Sequence, residues 1–595
     1  MTNSVKRLFD IPYYQLETNP QEVAFASKSY MHGTWDSFST EQYVDHINIV
    51  SRGLLRLGVK PGDKIALISN NRHEWNMMDM GIMQVGAIGV PVYPTISHDD
   101  YKYIFNHSEI KYCFVSCEEI YLKVKAIRND VPTLQEVFSF NLIPEAVNWK
   151  SLLRLGSDES NQDEVDKIKS TIKPDDLVTI IYTSGTTGRP KGVMLSHNNL
   201  LSNAIASSKR LPKFVHGKKA LSFLPVCHVF ERMVLYMYQY IGISIYYAES
   251  IDLISQNLQE VKPQVMTAVP RLLEKVYDKI YAKGTELTGL KKRLFFWAVE
   301  LGMEFEPYGA KGVWYDFKLS IARKLIFSKW QEALGGNLEL IISGSAPLQQ
   351  RLQKVFTAAG ILVAEGYGLS ETSPVTNVNE WDNHGWKVGT VGRSLEGVEV
   401  KIADDGEILI KGPNVMLGYF KDPEKTKEVI NAEGYFHTGD IGEIDDDGFL
   451  KITDRKKEMF KTSGGKYIAP AVLENAFKES RFIEQIMVIG EGEKMPAALI
   501  QVDFVFVREW CKRKKIKPCS NDEMVITNPD VIARVQQEID EQNKRFGKWE
   551  MIKKFEIVPD VWSITDGQLT PTMKLKRKVI KQMYKDLFDK IYDRV

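Results

Sequence analysis

The chain has 595 residues, and 77 Lys+Arg balance 77 Asp+Glu for a formal net charge of 0. That length exceeds one ordinary core and implies two or more domains. The balance lacks the basic excess that nucleic-acid binding requires, so no nucleic-acid partner is expected. Apolar residues at 44% and charged residues at 26% give the composition of a soluble globular protein.

From the N-terminus, MTNSVKRLFDIPYYQLETNP has no long apolar core and is not expected to be a secretory signal. Short aliphatic and β-branched runs at Lys64–Ile68, Leu177–Ile181 and Leu338–Ile342 alternate with longer helical patterns. Each run ends in a Gly, Asn or Ser turn. This alternation predicts an α/β fold with much parallel sheet.

The second of these runs leads into YTSGTTGRPKG, Tyr182 to Gly192. Gly185, Gly188 and Gly192 let the main chain wrap closely around a ligand. Thr183, Ser184, Thr186 and Thr187 add hydroxyls, successive N–H groups make an anion nest, and Lys191 adds positive charge. This is chemistry for polyphosphate. It is not the Walker A loop, which ends in Gly-Lys-Ser/Thr and runs straight into a helix. Here Pro190 precedes Lys191, a second apolar piece follows to Ser196, and the next helix is expected to start near Ser196–Asn198, residues that cap helices well.

Met233–Ala248 is the most apolar stretch, but Gln239, Gly242 and Ser244 interrupt it, and it falls short of the roughly 20 residues a membrane span needs. A buried helix followed by a strand is expected there. Thr285–Trp330 reads as mostly helical. Past Val400, the pieces EILIKG, GYF and GFLKITDR predict a small β subdomain. A compact α+β pattern runs from Asp454 to the end. The expected domains are 1–453 and 454–595. The five cysteines, Cys113, Cys117, Cys227, Cys511 and Cys519, fit no zinc or redox spacing. They point to a reducing, cytoplasmic compartment.

The glycine-rich loop is followed in order by LPVCHVFER (Leu224–Arg232), ISGSAPL (Ile342–Leu348), EGYGLSET (Glu365–Thr372), YFHTGDIG (Tyr435–Gly442), TDRKKE (Thr453–Glu458) and LTPTMKLKR (Leu569–Arg577). This ordered set resembles the AMP-forming acyl-CoA synthetases of the adenylate-forming superfamily. LPVCHVFER, VPRLLEKVYDKI and TPTMKLKR resemble its long-chain fatty-acyl branch. The resemblance implies a large N-terminal domain, a small mobile C-terminal domain, and a ligase that uses ATP, Mg²⁺ and coenzyme A. Such an enzyme makes a fatty acyl-adenylate, releases pyrophosphate, and passes the acyl group to coenzyme A. An acyl-carrier protein as acceptor is the alternative, because those synthetases share the motifs.

The resemblance also implies roles for individual residues. Thr183 and Glu371 would hold magnesium, an oxygen-seeking ion. ATP would meet Ser184, Gly185, Thr186, Thr187, Gly188, Lys191, Gly344, Ser345, Glu365, Gly366, Gly368 and Ser370, with Tyr367 stacked on adenine. Asp440 would take the ribose diol, as a carboxylate with two acceptor oxygens can, with Arg455 close by. His228 would lie near the acyl-adenylate. Lys574 would bridge the carboxylate and the α-phosphate and offset their repulsion. It follows Met573, which stands where the more widespread motif has glycine. Asp454 would be the hinge of the small domain. Val269, Ser343 and Ala346 would border the acyl pocket. Arg232 stands where some relatives carry an aromatic gate. Cys227 reads as packing. Long-chain acids partition into bilayers, so the basic runs Lys512–Lys515 and Lys574–Lys581 read either as weak peripheral contacts at the inner membrane face or as solvated surface. Oligomeric state has no signature.

Overall fold

The computed structural model describes residues 5–183, 189–213, 217–516, 521–563, 566–570 and 573–594. The chain divides into two compact units. The first comprises Met1–Lys401, Leu409–His437 and Asp445–Leu450; the second comprises Ile402–Ile408, Thr438–Ile444 and Lys451–Val595.

The first unit is built on two large sheets of nine and eight strands. In the nine-stranded sheet, Phe25–Lys28, Ser244–Tyr247, Lys219–Ser222, Val265–Ala268, Leu340–Ser343 and Leu362–Gly368 pair in parallel. In the eight-stranded sheet, Lys64–Ile68 pairs in parallel with Ile88–Pro91 and Ile110–Val115. The three runs singled out in the sequence are all strands, at Lys64–Ile68, Leu177–Thr183 and Leu340–Ser343. Antiparallel pairs sit toward the edges, as at Val375–Val378 against Leu362–Gly368. The expected α/β fold is the one observed.

Two helices make the centre of this unit. His73–Gln84 is buried at every residue and packs against strands of both sheets. Gly81 lets it approach the helix Thr40–Arg56, because a Cβ there would lie 2.3 Å from Val50 Cγ1. The second helix, Val229–Tyr240, is buried from Val229 to Gln239 and is followed by the strand Ser244–Tyr247. The stretch Met233–Ala248 is therefore core, as its length implied. Among the described residues no helix is long and apolar enough to cross a membrane.

A buried ion pair joins the two central helices. Arg232 Nη2 lies 2.5 Å from Asp79 Oδ1, and both side chains are 1% exposed. Arg232 Nη1 also donates to Thr179 Oγ1 at 2.7 Å, and the Tyr236 hydroxyl donates to Asp79 Oδ2 at 2.5 Å. Burial pushes the Asp79 carboxyl up, against the opposing pull of the guanidinium. Each charge thus has several partners, the condition under which a buried pair is tolerated.

Thr285–Trp330 is mostly helical, with Gly289–Met303 and Val313–Ala322 followed by a π-helical turn at Arg323–Phe327. Past Val400, strands at Glu399–Ile402, Glu407–Lys411, Phe436–Ile444 and Leu450–Arg455 form a four-stranded sheet, while Gly418–Tyr419, expected in the same β region, joins the eight-stranded sheet instead. The second unit also contains a three-stranded sheet, Ile483–Ile489, Ala497–Val502 and Lys554–Ile557. Its core includes Phe477, Ile500, Val507 and Val535, drawn from helices and sheet alike.

Removing one member of the central pair leaves a buried charge without its counter-ion, which costs about 3–5 kcal/mol. Asp79→Asn is expected to lower the denaturation midpoint of the first unit by that equivalent. Adding Arg232→Met is expected to recover part of the loss. An unchanged midpoint in the single variant contradicts the role given to the pair.

Candidate active site

The glycine-rich segment joins two antiparallel strands. Leu177–Thr183 pairs with Lys191–Ser196, and Thr183 is in register with Lys191. The residues between, Ser184, Gly185, Thr186, Thr187 and Gly188, lie outside the described residues. The helix His197–Ser208 follows at once, with the Ser196 hydroxyl accepting from Asn199 N. A strand, Lys191–Ser196, follows the segment where Walker A would run straight into a helix, as Pro190 indicated. Gly192 admits a close neighbour, since a Cβ there would lie 2.8 Å from Ile180 Cγ2.

Tyr419 ties the hairpin to Glu371. The short strand Gly418–Tyr419 pairs antiparallel with Lys191–Ser196. The Lys191 ammonium lies 5.2 Å from the Tyr419 ring centroid. The Tyr419 hydroxyl donates to Glu371 Oε1 at 2.9 Å, and Glu371 O accepts from Met416 N at 2.9 Å. One aromatic residue thus gathers the lysine of the loop and the carboxylate of EGYGLSET. Sequence reasoning missed Tyr419. Its only signal was the isolated strand-like GYF.

The remaining first-unit residues cluster at the carboxyl ends of parallel strands, where open α/β sheets bind ligands. Ala268 is in register with Ser343, and Ser343 with Glu365. This places Val269, Ser343, Gly344, Ser345, Ala346 and the Glu365–Gly368 segment along one sheet edge. Ser345 holds φ at 71°, a left-handed conformation unusual for serine. At Gly368 any Cβ would collide with Pro374 O at 1.7 Å, so only glycine fits. Tyr367, Ser370 and Glu371 are half-buried. The Ser343 hydroxyl is buried with no hydrogen-bond partner among the described residues, which suits a site whose ligand supplies one. Glu365 is buried and accepts from Leu348 N at 3.0 Å. Burial pushes its carboxyl up to about 8, so it is largely protonated at neutral pH.

His228 is the N-cap of Val229–Tyr240, and its Nδ1 accepts from Phe230 N at 3.2 Å. With Nδ1 an acceptor, the ring carries its proton on Nε2. Neighbouring Cys227 is buried, and burial pushes its thiol up, so it stays an inert thiol. The next residues point in different directions. Glu231 is buried and accepts from Ser222 at 2.5 Å and Thr267 at 2.6 Å. Burial pushes it up to about 7. Arg232 turns to Asp79. Phe230, Met233, Val234 and Met237 line a small apolar cavity whose other wall includes Ile342 and Ala364. A Cβ on Gly344 would stand 3.4 Å from Phe230 Cζ, so this cavity begins beside the strand ends. The structure does not bring Arg232, Val269, Ser343 or Ala346 into the cavity lining. For Arg232 the reason is plain: its guanidinium is consumed by a buried ion pair.

In the second unit Arg455 Nε lies 3.3 Å from Asp440 Oδ1. Asp440 is buried, and its N–H donates to Thr438 Oγ1 at 3.0 Å. Asp454 accepts from Arg455 N at 2.5 Å while its other oxygen is buried without a hydrogen-bond partner among the described residues. Burial, with Glu458 and Glu474 adding repulsion, pushes it up to about 7. Lys574 is exposed on a tight turn in which Thr570 N donates to Lys574 O at 2.8 Å. Met573 holds φ at 62°, the left-handed conformation that glycine adopts freely, so the turn survives a non-glycine residue. Arg577 anchors this turn. Its guanidinium reaches Glu474 at 2.8 and 2.7 Å and Glu458 at 3.1 Å.

The AMP-binding enzyme family matches residues 13–420, and the AMP-binding enzyme C-terminal domain matches 458–595. A long-chain-fatty-acid–CoA ligase of Mycobacterium bovis is 33% identical over 94% of this chain and 93% of its own length. Fatty acyl-CoA synthetase A of Dictyostelium discoideum is 32% identical over 94% of this chain and 86% of its own. The adenylation domain of a carboxylate reductase from Mycobacterium chelonae shares the fold, with a TM-score of 0.74 at 21% identity over 99% of this chain and 92% of that one.

Proposed function

Because the chain belongs to the AMP-binding enzyme family, we propose that it is a long-chain fatty-acid–CoA ligase. A carboxylate oxygen attacks the α-phosphorus of ATP and pyrophosphate leaves. The coenzyme A sulfur then attacks the acyl carbon of the bound acyl-adenylate, and AMP leaves. The relatives named as fatty-acid ligases support this reading over a carrier-protein acceptor.

The observation that carries the reading is the apolar cavity beginning at Phe230 beside Gly344. An acyl chain entering it would leave its carboxyl at the strand ends, next to His228 and the orphaned Ser343 hydroxyl. Each buried CH₂ is worth about 0.8 kcal/mol, or about fourfold in affinity, so depth selects chain length. We assign the hairpin loop and Lys191 to the phosphates, Tyr367 with Gly366 and Gly368 to the adenine, and Asp440 with Arg455 to the ribose. Glu365 supports this edge by holding Leu348, as a neutral group. Oxygen donors at Glu371 and Thr183 fit Mg²⁺, which takes one or two carboxylates and completes its shell with phosphate oxygens and water. When bound it would neutralise phosphate charge. Lys574 stabilises the charge that gathers as carboxylate and phosphate meet, and Asp454 is the hinge that lets the second unit serve both steps. The free thiols of Cys113, Cys117, Cys227 and Cys511 suit a cytoplasmic protein.

Met237 lies seven residues beyond Phe230, about 10 Å deeper along the helix. With acids of increasing length, kcat/KM is expected to climb about fourfold per CH₂ until the cavity is filled. Met237→Trp is expected to move the optimum to shorter acids while sparing octanoate. An unshifted optimum would place the acyl chain elsewhere. Lys574→Ala is expected to abolish acyl-adenylate formation and largely to spare thioester formation from supplied acyl-AMP. Equal loss of both half-reactions contradicts the role of Lys574.

A further inference from the structure

The helix Val313–Ala322 is apolar on two sides. One side, Tyr315, Leu319 and Ala322, is buried against the first unit, and the Tyr315 hydroxyl donates to Leu301 O at 2.8 Å. The other side carries Trp314, Phe317 and Ile321, at the i, i+3, i+7 spacing of a single helix face. Leu325 continues the patch in the π-helical turn. Trp314 is 79% exposed, Phe317 57% and Leu325 51%, and Val313 beside them is 84% exposed. The Trp314 and Phe317 rings pack edge-on with centroids 6.3 Å apart. Contiguous apolar surface of this kind marks a place where something binds.

The charges around the patch identify the partner. From Lys311 to Lys329 there are five basic residues and one acid, Asp316. Lys318 and Lys324 are exposed and flank the aromatic pair along the helix. Arg323 is committed to the fold, donating to Ala358 O at 2.8 Å. Lys311 approaches Glu304 at 3.9 Å, and Lys329 pairs with Glu332 at 2.8 Å. Aromatic rings projecting between exposed lysines suit the boundary between lipid headgroups and acyl chains. A second copy of the chain fits poorly. A two-fold contact places the same patch on itself, so the lysines of one copy would face those of the other, and like charges across an interface are costly.

We propose that Trp314, Phe317, Ile321 and Leu325, flanked by Lys318 and Lys324, form a docking surface for an anionic lipid bilayer. The site is rigid because its helix is anchored through its buried side. It gives the chain a reversible hold on a membrane without a spanning segment. This inference stands on the surface alone and does not depend on the enzymatic reading. Under that reading the docked chain would meet its substrate where long-chain acids accumulate.

The test uses the full chain with vesicles of phosphatidylcholine, with or without phosphatidylglycerol, in the absence of ATP and fatty acid. The chain is expected to co-sediment with the anionic vesicles and much less with the neutral ones. Trp314→Ala with Phe317→Ala is expected to lower the partition coefficient by about tenfold or more. Lys318→Gln with Lys324→Gln is expected to lower it by about 25-fold on anionic vesicles, about fivefold for each lysine. Both double variants should keep the parent melting temperature and the parent turnover of octanoate in vesicle-free buffer. Three results would overturn the proposal. The parent chain could fail to bind anionic vesicles. The folded variants could bind as well as the parent. The parent could prove dimeric in solution, with Trp314→Ala and Phe317→Ala dissociating it, which would make the patch a self-contact. A parent chain that binds anionic vesicles as expected but does not turn over octanoate would count against the enzymatic reading and leave the docking surface standing.

Discussion

The pairing of Arg232 with Asp79 at 2.5 Å, with both side chains 1% exposed, fixes the centre of the first unit. Two charges taken out of water are tolerated only where geometry and extra hydrogen bonds compensate them. Thr179 and Tyr236 provide those bonds here. The consequence is rotational. Once Arg232 faces Asp79, the helix Val229–Tyr240 has no freedom to turn. Glu231 must then meet Ser222 and Thr267. Phe230, Met233, Val234 and Met237 must face the cavity. His228 must sit at the helix start beside the strand ends. The orientation of the proposed acyl site is therefore set by a salt bridge that makes no contact with the cavity it orients.

A second constraint is backbone proximity. Gly192 and Gly368 each stand where a side chain would collide with a neighbour of this chain. Tyr419 adds the cross-link that composition alone does not suggest, holding Lys191 and Glu371 to one ring. In the second unit Arg577 does comparable work, tethering the turn of Lys574 to Glu458 and Glu474. Because Glu458 follows closely on Asp454, the proposed hinge and the proposed catalytic turn share one electrostatic anchor.

Much of this was legible because local rules dominated. Lys64–Ile68 is a strand because its run is aliphatic and bounded by turns, and Ser196 caps a helix because its hydroxyl can reach Asn199 N. The hairpin around the glycine-rich loop followed from Pro190 and the apolar piece after Lys191. What escaped the sequence is long-range. Arg232 meets a partner 153 residues earlier in the chain, so a lone arginine in an apolar helix read as a gate and proved to be a lock. Glu365 was placed beside ATP by its motif alone, and only the fold shows that burial pushes its carboxyl up. Trp314 and Phe317 lie in a stretch that the sequence marks only as helical, and only the fold shows that they are exposed. Met573 sits in a glycine position because its backbone keeps the glycine conformation, which no residue type announces.

The most direct test of the chemistry follows an oxygen atom. Palmitate labelled with ¹⁸O in both carboxylate positions would be turned over with ATP, magnesium and coenzyme A, and the products examined by mass spectrometry. If the carboxylate attacks the α-phosphorus and the thiol later displaces AMP, each AMP carries one ¹⁸O, pyrophosphate carries none, and palmitoyl-CoA retains the other. Label in a phosphate derived from the γ position, with ADP as the nucleotide product, would mean an acyl-phosphate route and would contradict the account.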